Sequence, residues 1–189
     1  MNKKIVLINM ILQHEGGYVD DPKDNGGETY RGISRKNNPD WRGWKIIDTL
    51  KPVKRGVIIN NDELESMVID FYDEKYYQKL KLDEINDLMI SAHLLCQSVH
   101  SGRSAGIKCL QRSINDVLGD NTLCVDGAIG NNTINKCNEL EGNCELINAI
   151  VKERKRFYKS IVDKNPSQKK FYQGWLNRVD NTTKYINSL

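Results

Sequence analysis

The chain is poor in several residue types that define protein classes. Only 4 of its 189 residues are proline and 7% are aromatic, which excludes proline-rich recognition tracts. No apolar run approaches the ~20 residues needed to cross a bilayer, so no stable membrane insertion is expected. The 5 cysteines, Cys96, Cys109, Cys124, Cys137 and Cys144, form no Cys-x-x-Cys pair. Such a set argues against structural zinc and for free thiols in a reducing compartment. The 3 histidines, His14, His93 and His100, are scattered, so no metal and no other cofactor is expected. Charge of one sign is lacking as well: 28 basic and 25 acidic residues leave a net +3. That is too little to argue for a nucleic-acid partner, and the Lys152, Lys155, Lys159 stripe reads as a solvated helix face.

What is present is a globular composition, 39% hydrophobic and 28% charged. The length supports one good core or two small ones. The first residues, with Lys3 and Lys4 ahead of an apolar stretch from Ile5 to Leu12, superficially resemble a secretory signal. Asn9 interrupts that stretch, no small-residue cleavage site follows, and Glu15 arrives too soon. The segment is expected to be the first helix of the mature fold, and the protein to be cytoplasmic when made. No fixed-period repeat or low-complexity linker divides the chain, which favours one compact unit or two tightly packed halves.

Periodicity predicts a mainly α fold. Residues 3–15 read as a helix. Residues 16–60 are rich in Gly, Asp, Asn and Pro and have little helical period; short strands are expected at Thr29 to Ser34 and Val57 to Ile59. Almost everything after Asp62 reads as helix, beginning with a capping box formed by Asp62 and Glu65. Leu64 to about Leu80, Ile85 to Ser101, Ile107 to Val117 and Thr133 to Leu140 each present an apolar face. Ile147 to Ile161 does so too, Asn165-Pro166 breaks that helix, and Phe171 to Ile186 marks the last one. Gly119 stops the helix that contains Ile107.

Glu15 is the most informative single residue. Ile8, Ile11, Leu12 and Glu15 follow the i, i+3, i+4, i+7 spacing of one helix face, and Gly16-Gly17 turns the backbone away behind them. A carboxyl held against apolar side chains resists ionisation, as a general acid must. Further acids follow at Asp20, Asp21, Asp24 and Glu28, then the hydroxyl of Thr29, with Gly26-Gly27 permitting a tight backbone path. Glycosidic hydrolysis commonly uses two carboxyl groups, one protonating the leaving oxygen and one serving water or the cationic sugar. From local pattern alone Asp24 reads equally well as an Asx-turn residue before Asn25-Gly26. Trp41, Trp44, Tyr18 and Tyr30 offer rings for sugar stacking or for a small core. Arg31 and Arg35 offer cations for substrate carboxylates or for solvent.

The run Glu15-Gly16-Gly17-Tyr18-Val19-Asp20-Asp21-Pro22, followed by Asp24-Asn25-Gly26-Gly27-Glu28-Thr29 and Gly32-Ile33-Ser34, resembles glycoside hydrolase family 108. Members are lysozyme-like N-acetylmuramidases, found as phage endolysins and bacterial proteins. Pro39-Asp40-Trp41 and Gly43-Trp44-Lys45-Ile46-Ile47-Asp48 extend the likeness. Leu110-Gln111, Val125-Asp126-Gly127, Ile129-Gly130 and Thr133 resemble the small peptidoglycan-binding region usually joined to that family, and Phe171 with Gly174-Trp175-Leu176-Asn177-Arg178 its closing helix. The resemblance implies a lysozyme-like helical fold with a small loop and β subdomain after the first helix. It implies a catalytic region over 1–100 and a peptidoglycan-binding-like region over 101–189 packed onto it. It implies cleavage between N-acetylmuramic acid and N-acetylglucosamine in bacterial peptidoglycan, with Glu15, Asp24 and Thr29 catalytic. Tyr18, Tyr30, Trp41 and Arg31 are the expected substrate contacts. Action at the periplasm or cell wall, with a holin for export, also follows from it. A lytic transglycosylase and a non-catalytic wall-binding or secretion-related module remain open alternatives at this point.

Overall fold

The computed structural model describes residues 2–13, 15–21 and 27–189. Among the described residues, 8 α-helices, a π-helical turn, two 3-10 turns and one three-stranded antiparallel sheet account for the regular structure, so the chain is mainly α. It divides into two compact units, residues 8–75 and residues 1–7 with 76–189. Packing thus groups the chain differently from the motif boundary near residue 100, because the helix that ends at Ser101 packs on the helices that follow it.

The smaller unit opens on the second half of α1 (Lys3–Leu12). Ile8, Ile11 and Leu12 are buried as the period predicts. The helix stops at Leu12 rather than at residue 15. The sheet is a meander of β1 (Tyr18–Val19), β2 (Thr29–Tyr30) and β3 (Ile33–Ser34). Tyr18 pairs with Tyr30, and Tyr30 with Ile33. Arg31 and Gly32 form the two-residue turn between β2 and β3, both with positive φ (48° and 77°), as a type I′ hairpin turn requires. The expected strand at Val57 to Ile59 is absent; the carbonyl of Val57 instead accepts from the Tyr18 amide at 2.8 Å. A helix that the sequence pattern missed, α2 (Gly43–Thr49), packs on α3 (Asp62–Tyr72). The cap of α3 is Asn61, whose side chain accepts from the Leu64 amide, and not the expected Asp62.

In the larger unit α4 (Leu88–Ser101), α5 (Arg103–Leu118), α7 (Cys144–Lys164) and α8 (Lys169–Asn187) pack on one another, with α6 (Asn131–Glu139) beside α5. Asp87 and Asn143 cap α4 and α7, and left-handed Gly119 ends α5. The centre of this bundle is polar. Arg154 is fully buried; its Nε donates to Gln97 Oε1 at 2.9 Å and its Nη1 to His93 Nδ1 at 2.6 Å. The other ring nitrogen of His93 lies 3.1 Å from Thr183 Oγ1. Burial first, and then the Arg154 charge, hold the His93 pKa well below its usual value.

That depression has a measurable consequence. Below about pH 6.5 the unfolded chain protonates His93 and the folded chain does not, so stability is complete above that pH and falls as acid is added. One such group contributes a slope of about 1.4 kcal/mol per pH unit. Thermal unfolding between pH 7 and pH 5 is expected to show a falling Tm, and His93→Gln to lessen that fall, the remainder belonging to His100, whose pKa burial lowers to about 4.

Candidate active site

The chain leaves α1 at Leu12 and reaches Glu15 two residues before the buried Gly17. Glu15 is half-buried, not solvated. Its position is set by the β2–β3 turn. A Cβ placed on Gly32 would lie 2.6 Å from Glu15 Oε2 and 2.6 Å from the Tyr72 hydroxyl. The carboxyl and the phenol therefore both occupy the space that a side chain at residue 32 would need. Tyr72, at the end of α3, donates to the Arg31 carbonyl at 2.8 Å and so holds the turn from beneath.

Arg31 is the fastener of this corner. Its guanidinium reaches the Leu12 carbonyl at 3.4 Å, one of the carbonyls left open at the end of α1, and Glu65 Oε1 at 3.1 Å. A buried, charge-assisted group of this kind ties three segments together: the end of α1, the hairpin and α3. Arg31, expected to meet substrate carboxylates, is buried and engaged with these partners.

Tyr18 and Tyr30, the expected ring faces for sugar, are buried as well. Tyr30 is fully buried and its hydroxyl accepts from the Ile59 amide at 3.1 Å. Tyr18 is buried and donates to Glu28 Oε1 at 2.9 Å. Burial first, and then Glu28, push the Tyr18 phenol up to about 12. Glu28 in turn pairs with Arg35 at 2.6 Å and Lys51 at 2.9 Å. Arg35 and Lys51 both bind Asp48, and their hydrogen bonds bring its carboxyl down to about 2. Glu28 is thus committed to a structural ion cluster.

Trp41 is half-buried, with its indole N–H donating to the Met67 carbonyl at 3.3 Å and its ring edge on Trp44. Its ring also covers Gly43, where a Cβ would sit 2.4 Å from it. Trp41 retains a partly open surface, whereas Trp44 is core. Thr29, also half-buried, donates from Oγ1 to the Gly27 carbonyl at 3.1 Å. Asp24 lies outside the described residues. The sequence reading missed Gly32 and Tyr72. Gly32 had a visible signal, since it opens the Gly32-Ile33-Ser34 piece already singled out; Tyr72 read only as one apolar position of a helix.

Among the described residues no group of three or more His, Cys, Asp and Glu is placed to hold a metal ion. Chemically, the corner offers a carboxyl at a fixed position beside a backbone turn, partly withdrawn from water. That is what proton delivery to a sugar oxygen requires.

Residues 8–102, half of the chain, match the family model for glycosyl hydrolase 108. Residues 105–180 match the model described as a predicted peptidoglycan domain. No curated protein matches. The solved structure of Brucella abortus SagA is similar in fold, with a TM-score of 0.66 at 23% identity over 97% of this chain and 94% of that one. The matched segment contains Glu15, the hairpin, Trp41 and Tyr72, and the fold is the lysozyme-like one that the motifs imply. The chain belongs to glycosyl hydrolase family 108.

Proposed function

We propose that this glycoside hydrolase cleaves the bond between N-acetylmuramic acid and N-acetylglucosamine in bacterial peptidoglycan, as an endolysin-type muramidase. The observation that carries the reading is the carboxyl of Glu15, half-buried and positioned over Gly32 within the segment matched to the family. The predicted peptidoglycan domain over residues 105–180 supports the choice of polymer. Residues 1–100 serve as the catalytic region and residues 101–189 hold the wall.

Glu15, as the general acid, gives a proton to the glycosidic oxygen. The C1–O bond breaks with its electron pair leaving on that oxygen, and positive charge builds on the sugar ring. Asp24 takes a proton from water as the water attacks C1, and Thr29 orients that water. Such a single displacement inverts C1 and needs a carboxyl separation of roughly 6.5–9.5 Å. Trp41 is the remaining ring for sugar contact. The enzyme is made in the cytoplasm and reaches the wall with the help of a holin, in the manner of a phage or prophage product. Among the described residues no helix is long and apolar enough to cross a membrane.

The test is digestion of defined murein with mass analysis of the products. Fragments ending in a hydrated, reducing N-acetylmuramic acid are expected. A 1,6-anhydro end would assign the chain to lytic transglycosylation, and binding without soluble fragments would make it a wall-binding module.

A further inference from the structure

The chain that leaves Glu15 runs straight into a second feature of the smaller unit. Tyr18 and Asp20, on and just after β1, face the segment from Lys51 to Arg55 across a cavity of about 550 Å³, lined also by Pro52 and Val53. That size falls within the range of ligand sites. Its far wall is fixed to β1: the Gly56 amide donates to the Tyr18 carbonyl at 2.7 Å, and the Tyr18 amide to the Val57 carbonyl at 2.8 Å. Gly17 admits this approach, because a Cβ there would stand 2.3 Å from the Val57 oxygen.

The lining has a distinct chemistry. Lys51 is already held by Glu28 and Asp48, each at 2.9 Å. Arg55 is not held in that way: its side chain is 76% exposed and its ion pair with Asp21 is long, at 3.6 Å. An exposed pair of that length contributes little and yields to a better acceptor. A guanidinium so placed suits a carboxylate. Asp20, exposed on the same cavity, suits an ammonium group. Pro52 and Val53 supply apolar surface for methyl groups. The one aromatic residue of the lining, Tyr18, is buried and presents no ring face. A sugar would find little here. A short peptide with free carboxylates, an amine and alanine methyls would find a partner for each.

We propose that this cavity is the subsite for the peptide stem of peptidoglycan, with Arg55 receiving a stem carboxylate. The assignment rests on the muramidase reading above. Three Cα steps separate Glu15 from Tyr18, so β1 begins within roughly 11 Å of the acid's backbone, and a stem of about four residues reaches roughly 13 Å. A stem hanging from the muramic acid beside Glu15 is therefore long enough to reach the start of β1.

Amide shifts of the whole chain, titrated with the free tetrapeptide L-alanyl-γ-D-glutamyl-L-lysyl-D-alanine, are expected to move at Tyr18, Arg55 and Gly56. Arg55→Glu should abolish those changes and Arg55→Lys weaken them. In turnover, Arg55→Glu is expected to raise KM about tenfold on stem-bearing murein, the scale of one lost charge contact, and to leave KM on peptide-stripped glycan strands unchanged. Absence of shifts at those three amides, or an equal effect of Arg55→Glu on both substrates, would overturn the subsite. Failure of the muramidase reading shows separately, as uncut stripped strands from the unsubstituted protein, while the peptide titration still reports on the cavity.

Discussion

Glu15→Gln is expected to lose at least about 100-fold of the rate of murein cleavage, since general acid catalysis commonly contributes between about 10² and 10⁴. The substitution keeps the shape of the side chain and removes only the transferable proton. Glu15 follows α1, so no helix is broken by it. The corner is fastened by Arg31 to Leu12 and Glu65 and by Tyr72 to Arg31, and Gln keeps the length and hydrogen-bonding capacity of Glu15 within it. Thermal unfolding should therefore change little while turnover collapses. The paired measurement matters, because a variant that loses both activity and Tm would report only misfolding. Retained cleavage with an intact Tm would remove Glu15 from the chemistry altogether. Glu15→Asp is the stricter probe of position. It keeps the acid and withdraws it by one methylene, so it should retain the fold and still lose most of the rate.

The residues that the sequence identified and the residues it missed differ in a physical way. Helix existence was legible wherever an apolar stripe meets a core, as in α3, α4, α5 and α7. Helix ends were less so. The i, i+3, i+4, i+7 pattern carried α1 on to Glu15, but the helix stops at Leu12, where Arg31 of the distant hairpin takes a carbonyl. The helix α2 was hidden because it begins at Gly43, a glycine required by the Trp41 ring lying over it rather than by helix propensity. A π-helical turn over Asp73–Tyr77 leaves no periodic trace either. In the candidate site, Glu15 stood out through the apolar spacing ahead of it, the glycine pair behind it and the resemblance of that run to the family. Tyr72 was not, because its role is to reach the Arg31 carbonyl, a contact between positions far apart in the chain. Tyr18, Tyr30 and Arg31 have side chains that serve equally in a core or on a ligand, and only burial distinguishes the two uses.

Gly32→Ala carries the other large effect, and it separates two costs that usually arrive together. The first is backbone strain. Gly32 has φ of +77°, where an added Cβ costs on the order of 1 kcal/mol. The second is collision, with the new methyl 2.6 Å from both Glu15 Oε2 and the Tyr72 hydroxyl. Tyr72 is buried and anchored on the Arg31 carbonyl, whereas Glu15 is only half-buried and stands on the segment beyond the end of α1. The acid is therefore the group that gives way. Displacing a catalytic group by about 1 Å costs on the order of 100-fold, so a loss of that size in kcat is expected, together with a Tm lowered by several degrees. Gly119→Ala supplies the control. Its φ is +71° at the end of α5, and nothing lies within 4 Å of the added Cβ. It should lose stability through strain alone and keep full turnover. If Gly32→Ala lowers Tm as Gly119→Ala does but cuts murein at the parent rate, the turn does not position the acid, and the geometric basis for placing Glu15 at the reacting oxygen fails.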